Sequence, residues 1–85
     1  MTDRVQQLID YIQREIIRRP HIQIAEDTPL VSSGLIDSLA LVDILLKLEE
    51  VTNMRIPAGK LQAKDMDTVQ LMFSTAQRVG KPTKR

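Results

Sequence analysis

The stretch from Leu39 to Val51 holds more aliphatic side chains than one buried helix face can use. Its polar positions are Asp43, Lys47 and Glu50, spaced i, i+4 and i+7, with Glu49 beside them. Leu39, Leu41, Val42, Ile44, Leu45, Leu46, Leu48 and Val51 fill almost all the rest. This spacing predicts a helix over residues 38–52. Leu41, Ile44, Leu45 and Leu48 make a core face at i, i+3, i+4 and i+7, whereas Leu39, Val42 and Leu46 lie on another row. A chain of 85 residues folds as one small domain with a thin core, so part of that second row is expected to meet solvent. An exposed apolar row edged by acids marks a partner-binding surface. The competing reading is that the row is covered by a loop or by another helix.

The rest of the chain is also helical in period. Val5, Leu8, Ile9, Ile12 and Ile16 form one stripe and predict a first helix over residues 3–18, capped by Thr2 or Asp3 and stopped by Pro20. Residues 20–37, punctuated by Pro20, Pro29, Ser32, Ser33 and Gly34, read as a long loop, uncommon in a compact domain and often functional. Leu30, Val31, Leu35 and Ile36 are its expected anchors, with Ile22 and Ile24 near its start. Residues 60–65 suit one short helical turn. Val69, Met72, Phe73 and Ala76 predict a last helix over 68–79, with Asp67 as N-cap, Gln70 completing a capping box, and Gly80 and Pro82 as the stop. The expected architecture is all-α: a small bundle of three main helices and one short one, with a long loop between the first two helices. The domain is expected over residues 1–80, followed by a disordered basic tail at 81–85.

Charge is divided unevenly. Residues 21–54 hold Glu26, Asp27, Asp37, Asp43, Glu49 and Glu50 against Lys47, a net of −5, while the remaining residues carry +6. An acidic middle suits a basic protein partner. Nucleic acid is disfavoured, because the bases are scattered and Tyr11 and Phe73 are the only aromatic residues. The chain has no cysteine, which removes disulfides and thiolate zinc sites. No apolar run approaches the roughly 20 residues of a membrane span. The polar opening M-T-D-R-V-Q-Q does not resemble a secretory signal, so a cytoplasmic location is expected; a monomer is also expected.

Catalysis has little to work with. A serine nucleophile needs a base within reach, usually histidine, and the single histidine, His21, reads as a solvated loop residue. A nucleophile elbow around Ser38 would need glycine where Ile36 and Ala40 stand. Gly34 has no neighbouring glycine to make a phosphate loop; Asp65 and Asp67 are close in sequence, but a capping role explains Asp67 more simply than metal ligation. The chain is expected to be no enzyme and to hold no metal.

Ser38 then stands out. It lies where the long loop enters the second helix. Either it caps that helix, or Asp37 does so and leaves the serine hydroxyl free. A helix N-terminus favours a phosphate ester, because unpaired N–H groups and the helix dipole stabilise negative charge.

Gly34-Leu35-Ile36-Asp37-Ser38-Leu39, within D-T-P-L-V-S-S-G-L-I-D-S-L-A-L-V-D-I-L-L-K-L-E-E and followed by R-I-P, resembles the attachment motif of the acyl and peptidyl carrier proteins. The resemblance extends over roughly residues 3–80. It implies a four-helix bundle of the acyl carrier type, with Ser38 taking a 4'-phosphopantetheine arm from coenzyme A through a phosphopantetheinyl transferase that brings its own magnesium. The arm would hold acyl, aryl or aminoacyl cargo as a thioester for delivery to loading and processing enzymes. By the same resemblance Asp37 would meet basic groups on the transferase. Leu39, Val42 and Leu46, with Asp43, Glu49 and Glu50, would form the helix that partners read. The chain is less acidic than fatty-acid carriers usually are, with Ala40 where an acid is common and Lys47 interrupting the acidic row. These departures weaken a purely electrostatic interface, and the G-L-I-D-S-L wording resembles that of stand-alone carriers of aminoacyl, aryl or specialised acyl groups, which implies a dedicated carrier in a side pathway. An unmodified helical adaptor and a small nucleic-acid binder are the alternatives.

Overall fold

A computed structural model describes residues 3–19 and 21–82. Helix α1, Arg4–Tyr11, begins where Asp3 accepts a hydrogen bond from the Val5 amide at 2.9 Å. Thr2, the other expected cap, and Pro20, the expected breaker, lie outside the described residues. From Ile12 to Ile17 the helix widens into a π-turn. Bonding at i→i+5 stacks Ile17 over Ile12, where an α-helix would place Ile16. Both Ile16 and Ile17 pack against the core as a result. Arg18 ends the turn in the left-handed region, φ 59°, with its amide bonded to the Gln13 carbonyl.

Helix α2 spans Ala40–Thr52 and α3 spans Val69–Val79. Asn53, at φ 55°, closes α2 with its amide on the Glu49 carbonyl; asparagine tolerates this geometry better than most side chains. The short helix expected at 60–65 is two 3₁₀ turns, Ala58–Lys60 and Ala63–Met66. Lys81–Pro82 (β2) pairs antiparallel with Met54–Arg55 (β1). The first two residues expected in a frayed tail are therefore tied to the segment after α2, and residues 83–85 lie outside the described residues. Gly80 permits this pairing, because a Cβ there would strike the Ala76 carbonyl oxygen and come within 2.8 Å of Met54 Cε.

The core joins Leu8, Ile9 and Ile12 of the first helix to Ile44 and Leu48 of α2 and Val69, Met72 and Ala76 of α3. Three loop residues, Ile24, Leu30 and Ile36, and also Ile56 and Met66 complete it. Ile22, Val31 and Leu35 are partly buried against it. The buried face of α2 is Ile44, Leu48 and Val51. Leu41 and Leu45, expected in the core, are half-buried at its flank instead. With Val42, Leu61, Gln62, Ala63 and Met66 they line a shallow cavity of about 160 Å³. No helix among the described residues is long and apolar enough to cross a membrane.

Candidate functional site

The site is assembled where the long loop meets α2. The turn Val31–Gly34 is closed by the Gly34 amide on the Val31 carbonyl, 3.1 Å. Gly34 has φ 82°, a conformation that strains any residue with a Cβ. The chain reverses there, and the Ile36 amide returns to the Leu30 carbonyl at 3.1 Å. Ile36 is then buried, while Asp37, Ser38 and Leu39 emerge into solvent.

Asp37 caps α2. Its Oδ1 accepts from the Ala40 amide at 3.0 Å, and its carbonyl accepts from the same amide at 3.2 Å. Ser38 and Leu39 form the lead-in turn, in which the Leu41 amide donates to the Ser38 carbonyl at 3.3 Å. Ser38 Oγ is exposed and makes no hydrogen bond among the described residues. The Ser38 and Leu39 amides also have no acceptor there. A free hydroxyl therefore stands beside two unpartnered N–H groups at the positive end of a 13-residue helix.

Outward from this entrance runs the second row of α2. Leu39 is 83% exposed, Val42 63% and Leu46 59%. Neither the loop nor α3 covers them. Asp43 and Glu50 are exposed on the same face. Lys47 lies toward α1, 5.5 Å from the centroid of the Tyr11 ring, and its Nζ reaches Glu50 Oε2 at 3.2 Å. Glu49 differs from the other acids. It is half-buried, and its Oε2 accepts the Ile56 amide at 2.7 Å. Its carboxylate organises the turn after α2 rather than edging the exposed row.

A family model described as the phosphopantetheine attachment site matches residues 6–72. The chain belongs to the phosphopantetheine-binding carrier family. No curated protein and no solved structure matches it. Carrier domains of this kind are typically non-catalytic, carry 4'-phosphopantetheine and work with transferases and biosynthetic enzymes. The entrance of α2 fits such a group: an accessible hydroxyl can be esterified, and free backbone amides favour a neighbouring phosphodiester.

A second cluster was not legible in the sequence. Asp67, expected to cap α3, does not do so; Thr68 does, with its Oγ1 accepting from the Leu71 amide at 3.0 Å. The capping box expected with Gln70 is absent, and the Gln70 amide donates instead to the Glu26 carbonyl. Asp67 faces the long loop. Its Oδ1 accepts from the Val31 and Ser32 amides, both at 2.8 Å, and its Oδ2 accepts from Ser32 Oγ at 2.9 Å. These bonds, led by that of the Ser32 amide, hold its carboxyl below the usual aspartate range against the opposing effect of burial. The available signal was that Asp67 and Thr68 are both good caps, so one of them had to be spare.

Proposed function

We propose that Ser38 is the attachment residue and that the protein is a carrier of thioester-bound cargo. The observation that carries this reading is the exposed, unbonded Ser38 hydroxyl at the entrance of α2, released because Asp37 does the capping. Ser38 Oγ attacks the pantetheine-side phosphorus of coenzyme A on the transferase. Its proton passes to a base on that enzyme, the bond from that phosphorus to the bridging oxygen of the pyrophosphate breaks, and adenosine 3',5'-bisphosphate departs carrying the oxygen. Once attached, the arm supplies a terminal thiol on which acyl, aryl or aminoacyl groups are held as thioesters. The two free amides lie beside the new phosphodiester, and exposed Asp37 is available to a basic group of the transferase.

Leu39, Val42 and Leu46, edged by Asp43 and Glu50, form the proposed docking face for the transferase and for cargo enzymes. Glu49 is not assigned to it, because its carboxylate is engaged with Ile56. Exposed ion pairs contribute only ~0–1 kcal/mol each, so apolar contact dominates this face. Leu46→Asp is therefore expected to keep the fold, checked by circular dichroism, while raising the transferase KM for the carrier.

Incubation with a broad-specificity phosphopantetheinyl transferase and coenzyme A tests the assignment. Intact-mass measurement should show one phosphopantetheine on the wild type and none on Ser38→Ala. An unmodified wild type, under conditions that modify a control carrier, would leave the adaptor reading in its place.

A further inference from the structure

The long loop has no regular structure of its own, yet it must deliver Ser38 in a fixed direction. It is fastened at the entrance of α3. The Leu30 amide donates to the Asp67 carbonyl at 2.7 Å, and the Asp67 carboxylate holds the Val31 amide, the Ser32 amide and the Ser32 hydroxyl. Between this clamp and Ser38 the path leaves little freedom. Ser33 Oγ donates to the Pro29 carbonyl at 2.6 Å, Gly34 makes the reversal, and the Ile36 amide is bonded to the Leu30 carbonyl while its side chain is buried. Thr68 caps α3, so the Asp67 carboxylate serves the loop alone. Hydrogen bonds to an ionised acceptor are shorter and about twice as strong as neutral ones.

We infer that Asp67 is a positioning residue for the modification of Ser38: by clamping Leu30–Ser32 to the entrance of α3, it sets the direction in which the serine hydroxyl is presented to the transferase. This rests on the assignment of Ser38 as the attachment residue. The docking face belongs to α2 and is not touched by the clamp, so positioning should act on turnover more than on binding. A misplacement of about 1 Å can cost on the order of a hundredfold in rate.

Steady-state transferase kinetics with the carrier as varied substrate distinguish this role from mere stabilisation. A purely structural role lowers the fraction of folded carrier, which raises the apparent KM and leaves kcat unchanged. A positioning role lowers kcat. For Asp67→Ala, a fall in kcat on the order of tenfold is expected, within the range that misplacement produces, with little change in KM. Asp67→Asn keeps an Oδ1 acceptor for both amides and should recover part of the rate. Ser32→Ala, which removes only the hydroxyl bond, should lose least. If Asp67→Ala does not fold, as judged by circular dichroism, the other two variants decide by the same split. Wild-type kcat in the folded variants, with KM rising only in step with the unfolded fraction, overturns the inference. Failure of the Ser38 assignment appears separately, as a wild type that accepts no phosphopantetheine at Ser38.

Discussion

Helices α2 and α3 are entered through the same kind of dipeptide, an aspartate followed by a hydroxyl residue, and the two pairs divide the work in opposite ways. At Asp37-Ser38 the acid caps and the hydroxyl is free. At Asp67-Thr68 the hydroxyl caps and the acid is free to hold the loop. Backbone conformation accounts for the difference. Thr68 is extended, φ −129° and ψ 157°, which suits an N-cap. Leu39 is already helical, φ −70° and ψ −34°, so the turn at α2 starts earlier and passes the capping role to Asp37. One arrangement leaves an exposed, unbonded hydroxyl, and the other leaves an anion bonded to the long loop.

Substitutions at the two helix entrances should differ in cost. The largest effect on stability is expected from Asp67→Ala, which removes an ionised acceptor from two amides and a hydroxyl. A loss of about 1.5–3 kcal/mol is expected for hydrogen bonds to a charged group, measured by urea denaturation. Asp37→Ala and Thr68→Ala should each cost about 1 kcal/mol, the usual loss for an N-cap; a neutral result for either would reverse the assignment at that helix.

Acid pH probes the Asp67 clamp directly. The folded-state pKa of Asp67 lies below its unfolded value of about 3.9. Its contribution is therefore fully present above that value and is lost as pH falls through the folded pKa. Stability measured from pH 6 to pH 2 should fall less steeply at the acid end in Asp67→Asn than in the wild type. The smallest effect belongs to Ser38→Ala, expected within about 0.5 kcal/mol of wild type as for other surface changes. A larger loss would mean that Ser38 shares in capping.

Much of this was legible before any coordinates. The apolar stripes placed three helices because helix period is a local property. The excess of leucine and valine in residues 39–46 could not all be buried in so small a domain, and Leu39, Val42 and Leu46 are exposed as that excess implied. What was missed depends on contacts between distant segments. Periodicity put Leu41 and Leu45 in the core, but they are half-buried beside Leu61, Ala63 and Met66, and Val51 is buried instead. Glu49 resembled any other helix acid until the chain after α2 turned back to offer it the Ile56 amide. The π-turn at Ile12–Ile17 and the two-residue strand pair have no local signal comparable to a helix stripe. Asp67 was misread for the same reason: its partners, Val31 and Ser32, lie in the loop before α2, and a cap was the nearest explanation at hand.

The attachment of the arm at Ser38 is tested most directly by peptide mapping of the protein after incubation with transferase and coenzyme A. The expected result is a single phosphopantetheine on the peptide containing Ser38, assigned by fragmentation to that residue and not to the nearby Ser32 or Ser33. Finding the group on another residue would contradict the assignment.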